Sequence, residues 1–258
     1  MGSCSRLSAL GHGASAIRER YRLITTVECD KHMPLSLRKP SYRHTNETIK
    51  RFVINSSSSY LALTLRRLQP MKVAGVLLAA GSGVRFTGDR HKLAADLAGK
   101  PVGQHALDHL LEAGLDHTIV VSGATRLSIP DGVHEVINVH WQSGQASSLQ
   151  CAITAAQQLN VEAIVVGLAD QPFVPASAWQ AVASTHDDAQ IAIAIFDGIV
   201  GPTPVRLLRS VWHLLPTTGD HGARDLIRLH PDWVSGVSCS GSPIDIDTVE
   251  DLRRWTNC

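Results

Sequence analysis

The chain has 258 residues, 44% of them hydrophobic and 18% charged, with a formal net charge of +1: enough for one good core, arranged as one or two domains. Its five cysteines, Cys4, Cys29, Cys151, Cys239 and Cys258, are scattered, odd in number and free of any C-x-x-C pair, which speaks against a disulfide framework and a zinc site and for a reducing cytoplasm. No apolar run approaches the roughly 20 residues that a spanning helix needs, no secretory core follows the N-terminus, and Arg6 stands where myristoylation wants Ser or Thr.

The net charge hides a division along the chain. Residues 1–70 hold 12 Lys and Arg against 4 Asp and Glu, a balance of +8, whereas residues 71–258 hold 12 against 19, a balance of −7. The first segment shows no sustained hydrophobic period and carries a run of four serines at Ser56, Ser57, Ser58 and Ser59. It is expected to be a basic, disordered extension. Met71 stands where a compact domain would open, so a start codon placed too far upstream is an alternative. So are a basic tail for polyanions and a targeting peptide, the last weakened by Glu19, Glu28, Asp30 and Glu47.

From residue 71 strands and helices alternate. Residues 73–78 are a continuous apolar run, as in a parallel strand covered on both faces. Residues 102–113 have helical spacing and stop at Gly114; residues 118–121, 133–139, 163–168 and 191–195 are further expected strands, with helices near 147–159 and 177–184. This order predicts an α/β domain over 71–258: an open, mostly parallel sheet with helices on both faces, Rossmann-like, binding its ligand beyond the carboxyl ends of the strands.

The first strand runs into Leu78, Ala79, Ala80, Gly81, Ser82 and Gly83, followed by Arg85 and Lys92. Backbone N–H groups with little side-chain cover beside two fixed cations suit a triphosphate. A P-loop would need Lys and Ser or Thr after Gly88, where Asp89 and Arg90 stand; a dinucleotide fingerprint would need glycine at Phe86. Asp170 ends the strand 163–168, a hard oxygen donor placed for Mg²⁺ or, alternatively, a turn aspartate before Gln171 and Pro172. Asn138 offers an amide to a base edge, Gly144 a close backbone approach, and Ser147 or Ser148 a helix cap or a ligand contact. Arg224 is placed to grip an acidic substrate group or to pair with Asp220 or Asp225. Thr248 with Asp251 is a capping pair that sets Asp247, and less favourably Asp245, just before a helix. His105, Asp108 and His109 share helical spacing, but a polar helix face explains them more simply than a metal site.

These segments resemble the MobA-like NTP transferase family. The L-A-A-G-x-G-x-R…K signature is met from Leu78 to Lys92; Gly167-Leu168-Ala169-Asp170-Gln171-Pro172 is similar to its metal-binding G-D-Q-P. Asn138 to Leu149 looks like the N-x-x-W-x-x-G-x-x-x-S-L of the MocA-like cytidylyltransferase branch, and the segments from Gly219 and Asp245 resemble its G-D-x-G-A-R-x-L and D-[IV]-D-T-x-x-D-L. The resemblance implies a cytoplasmic, Mg²⁺-dependent nucleotidyltransferase that joins an NMP, CMP from CTP, to the phosphate of molybdopterin and releases pyrophosphate. It further implies a molybdenum hydroxylase apoprotein as recipient, with no specific nucleic acid and no membrane as partners. Arg85, Lys92 and Asp170 would be catalytic; Leu78, Ala79, Ala80, Gly81, Ser82, Gly83, Asn138, Gly144 and Ser148 would bind nucleotide with them; and Asp170 with Asp247 would hold the metal. A sugar-phosphate or alcohol-phosphate nucleotidyltransferase is the alternative, as is a non-catalytic nucleotide or cofactor chaperone. Three departures bear on these choices: Ala169 replaces the usual glycine, Gly201-Pro202-Thr203-Pro204-Val205 replaces Gly-His-Pro-Val, and the loop between Arg85 and Lys92 is longer than R-x-G-x-x-K.

Overall fold

Strand β1 (Val73–Ala79) is buried along its whole length, as an unbroken apolar run requires of a strand covered on both faces. The computed structural model describes residues 71–185 and 189–256; the expectations for residues 1–70 lie outside the described residues. After β1 come the short hairpin β2 (Asp96–Leu97) and β3 (Lys100–Pro101), helix α1 (Val102–Glu112), and strands β4 (His117–Ser122) and β5 (His134–Ile137). Helix α2 (Gln145–Gln158) leads to β6 (Ala163–Leu168), and α3 (Ala176–Ala183) to β7 (Ile191–Phe196) and β8 (Ile199–Leu208). Helix α4 (Arg224–Leu229), β9 (Val234–Cys239) and α5 (Val249–Thr256) complete the described chain.

Seven strands form one sheet in the order β5-β4-β1-β6-β8-β7-β9. All run parallel except β8, which is antiparallel to both β6 and β7. The two-residue side-chain period sorts β1 cleanly. Val73, Leu77 and Ala79 enter the core layer of α1 and α3, with Leu107, Leu110 and Trp179, whereas Ala74, Val76 and Leu78 enter the layer of α2, with Leu149, Ala152 and Ile153. Leu107 and Leu110 are fully buried, each stabilising the fold by about 1.5–3 kcal/mol. The close approach of Leu110 depends on Gly75, where a Cβ would lie 2.3 Å from the Leu110 Cδ1.

Starting from β1, the chain adds β4 and then β5 on one side, and after α2 lays β6 against the other flank of β1. The direction of winding therefore reverses beside β1, so the loops leaving β1 and β6 part and open a crevice at the carboxyl ends of the strands. A third, smaller cluster stands apart from these two layers: Leu97, Val102 and Ile246 are buried together, with Phe86, Phe173, Leu252 and Trp255 packed around them. Phe86 belongs to the lengthened loop and Leu252 and Trp255 to α5, so this cluster ties both segments to Leu97 of β2 and Val102 at the start of α1. No helix among the described residues is long and apolar enough to cross a membrane.

Three strands differ from the sequence expectation. No strand was expected over residues 199–208, whose two prolines offer no ladder donor; the run Gly201-Pro202-Thr203-Pro204 breaks the pairing of β8, which resumes from Val205 to Leu208. The edge strand β9 is half-exposed and carries Ser, Gly and Cys, leaving too little apolar alternation to be recognised. β5 spans four residues where 133–139 was expected.

Candidate active site

The loop leaving β1 is held in place by its neighbours. The Ala124 N–H donates to the Ala80 carbonyl, and a Cβ at Gly123 would stand 2.7 Å from that same oxygen. Gly83 adopts φ +65°, a backbone region that favours glycine, and a side chain there would press on Lys92 and His91. Phe86 N–H closes the turn by donating to the Gly83 carbonyl. A short 3₁₀ turn over Lys92–Ala94 follows, pointing the largely buried Lys92 back into the crevice.

The Lys92 Nζ donates to Asp170 Oδ2 at 2.5 Å and to Asp247 Oδ1 at 2.8 Å, and Asp247 Oδ2 also pairs with Arg85 at 3.0 Å. These residues meet because the Ile246 N–H donates to the Asp170 carbonyl at 2.8 Å, fastening the segment before α5 alongside the end of β6. Burial by itself would lower the Lys92 pKa; the Asp170 and Asp247 carboxylates outweigh it and hold the ammonium above its usual value. The Asp170 Oδ1 is buried without a hydrogen-bond partner. A hard oxygen in that state, with a second carboxylate beside it, fits a divalent cation, and two carboxylates suffice where phosphate oxygens and waters supply the remaining ligands. Asp245 is used otherwise: its Oδ1 accepts from Gln171 Nε2 at 2.7 Å. Its carboxyl is raised above the ordinary range by burial first and by the nearby Asp170 and Asp247 charges next. Gln171 Oε1 in turn accepts from the Thr203 hydroxyl. Thr203 immediately precedes Pro204 and so occupies the position of the histidine in Gly-His-Pro-Val.

The opposite wall joins residues 75 positions apart. Gly144, at φ +104°, opens α2, and a Cβ there would lie 2.5 Å from the Gly219 carbonyl. That close approach lets Ala146 N–H donate to the Gly219 carbonyl and Gln145 N–H to Asp220 Oδ1, so Asp220 caps α2 from outside.

Together these elements enclose a cavity of about 680 Å³. Leu78, Ala79, Ala80, Gly81, Ser82, Gly83, Arg85, Lys92, Gly144, Ser148, Asp170 and Asp247 all line it. Asn138 does not. It is 2% exposed, its Nδ2 donates to Ser147 and Ser148 and its Oδ1 accepts from His140 N–H, so it braces the turn before α2 and does not face the cavity. Trp141, Gln142, Gln145 and Asp220 line the cavity without having been put forward as site residues from the sequence, although Trp141 and Asp220 lie in the resembling motifs. Their signal was position, since three of them flank the glycine that starts a helix. Ala169 packs its methyl into the core and donates its N–H to the Leu78 carbonyl, away from the cavity. Asp108 is paired with Lys100, and His105 contacts the Leu97 carbonyl; no cluster of three metal-binding side chains occurs among the described residues.

Residues 75–234 match the model of the MobA-like NTP transferase domain family. The chain is 29% identical over 193 residues to the purine catabolism protein PucB of Bacillus subtilis, covering 69% of this chain and 92% of that one. Among solved structures it is similar to Rv0371c of Mycobacterium tuberculosis, at 26% identity and a TM-score of 0.61, covering 74% of this chain and all of the other. A complex of Rv0371c with manganese matches at 24% identity and a TM-score of 0.56, covering 72% and 98% of the two chains.

Proposed function

The chain belongs to the MobA-like NTP transferase family and is a nucleotidyltransferase of that family; we propose that it transfers CMP from CTP to the phosphate of a molybdopterin-type acceptor, with Mg²⁺ as cofactor. The observation that carries this reading is the meeting of the glycine-rich loop with Lys92, Asp170 and Asp247 in one cavity. CTP is favoured because the wall opposite the loop is the Asn138-to-Leu149 segment that resembles the cytidylyltransferase branch.

An acceptor phosphate oxygen forms a bond to the α-phosphorus as the bond from that phosphorus to the bridging oxygen breaks, and pyrophosphate leaves with the electron pair. Such transfer asks for alignment and charge neutralisation more than for covalent help. Backbone N–H groups of Gly81, Ser82 and Gly83 orient the triphosphate, and Lys92 and Arg85 neutralise it. Asp170 and Asp247 would hold the divalent ion, which when bound supplies further charge neutralisation on the phosphate oxygens.

A smaller recess adjoins the cavity, sharing Leu78, Gln145 and Leu168 with it. Val166, Val205 and Leu207 give it an apolar floor, with Pro202, Thr203, His221 and Arg224 among its other lining residues. Asp225 pairs with His221 and Arg228, and Asp220 accepts from Gln145 N–H, so neither aspartate takes up Arg224. The exposed Arg224 guanidinium is therefore assigned to an anionic group of the acceptor. Thr203 in place of histidine on this acceptor side favours a second reading, a sugar-phosphate or alcohol-phosphate acceptor. Incubation with CTP, Mg²⁺ and molybdopterin, followed by mass spectrometry, tests the choice: the expected product is the acceptor enlarged by CMP. Transfer only to a sugar or alcohol phosphate would establish the second reading, and no transfer with any NTP would overturn both.

A further inference from the structure

His91 stands outside the cavity wall, yet it touches both parts of the machinery that handles the triphosphate. Its Nδ1 accepts the Leu93 N–H at 3.2 Å, capping the short turn that carries Lys92. An imidazole nitrogen that accepts an N–H carries no proton of its own, so the ring hydrogen resides on Nε2. Nε2 lies 2.9 Å from the Gly81 carbonyl and therefore donates to it. The ring also packs against Gly83, where a Cβ would meet Nε2 at 3.2 Å.

The Gly81 contact sets the direction of a neighbouring donor. In a trans peptide the carbonyl of one residue and the N–H of the next lie in one plane and point in opposite directions. The Gly81 carbonyl is turned toward His91, which does not line the cavity, whereas Gly81 and Ser82 do. The Ser82 N–H is thereby turned away from His91, at a residue that lines the cavity, and it has no hydrogen-bond partner among the described residues. We propose that His91 is a positioning residue that locks the Gly81–Ser82 peptide with its N–H aimed at a phosphate oxygen of the nucleotide. This rests on reading the cavity as the nucleotide site.

Two substitutions separate this role from simple capping. In His91→Asn the shorter amide can still accept the Leu93 N–H but cannot reach Gly81, whereas in His91→Gln the longer amide can donate to Gly81 and forfeits the cap. Calorimetric titration of the full chain with CTP and with cytidine, in the presence of Mg²⁺, reads the difference. H91N is expected to bind CTP about tenfold more weakly, the effect of one lost hydrogen bond to a charged group, with cytidine affinity unchanged. H91Q is expected to bind CTP within about threefold of wild type, because the contact that orients the peptide is retained. Wild-type affinity in H91N, equal impairment of H91N and H91Q, or a matching loss of cytidine affinity would each overturn the inference while leaving the nucleotide site standing. A wild-type protein that binds no nucleoside triphosphate would overturn the proposed function and this inference with it.

Discussion

Lys92 is the residue on which the charge balance of the cavity turns. Its ammonium lies between two carboxylates, and its pKa is held above the usual value by them despite burial. A raised pKa contributes stability that is fully present below the unfolded value of 10.5 and is lost as pH rises through the folded value. Lys92→Met removes that contribution and leaves Asp170 and Asp247 without their shared cation. Melting temperature measured against pH should therefore show a wild-type advantage at neutral pH that shrinks above pH 10.5; curves that stay parallel into the alkaline range would show that the pairing adds no stability. The Lys92 and Asp170 positions were legible in the sequence because the glycine-rich strand exit and the strand-end carboxylate occur together; either alone reads as an ordinary turn. Asn138 shows the limit of that reasoning. An amide in a resembling segment looks like a base reader, but whether its hydrogen bonds are already spent on Ser147, Ser148 and His140 is decided by packing across a turn. His91 was overlooked for a related reason: histidine is not among the usual capping residues, and its second contact, ten positions away at Gly81, leaves no mark in local spacing.

Among the elements, α5 has the most direct effect on the site. The Thr248 Oγ1 accepts the Asp251 N–H at 3.1 Å, while Asp251 Oδ2 accepts from the Thr248 N–H, the Thr248 hydroxyl and the Asp247 N–H. This reciprocal cap both starts the helix and fixes Asp247 in front of it. Thr248→Ala should cost about 1 kcal/mol of stability and weaken Mn²⁺-dependent or Mg²⁺-dependent CTP binding more than metal-free binding. Chemical denaturation and metal titration check the two effects; equal loss with and without metal would detach the cap from Asp247. The cap was recognisable from the Thr248 and Asp251 spacing, as were α1, α2 and β6 from their periodicity. The tie between Gly144 and Gly219 was not, since it depends on a contact between segments 75 residues apart and on a positive-φ glycine that sequence spacing does not reveal.

At the scale of the whole molecule, the alternation of strands and helices foretold an open sheet with its site at the strand ends. The single antiparallel strand β8 and the edge strand β9 stayed hidden, one behind two prolines and the other behind half-exposure. The order of the sheet matters to the proposed function because it sets β1 between β4 and β6, and so sets the glycine-rich loop beside Asp170. Without that adjacency the separate motifs would have no common site. The most direct test is pyrophosphate release from CTP, with Mg²⁺ and molybdopterin, by the wild-type chain and by Asp170→Asn, which keeps the side-chain shape and removes its charge. Wild type should release pyrophosphate in step with CMP transfer, and D170N should remain folded while turning over about 10²–10³-fold more slowly, the range for loss of a single group that stabilises transition-state charge. A folded D170N with turnover within a few-fold of wild type would contradict the assignment of this cavity as the place where nucleotidyl transfer occurs.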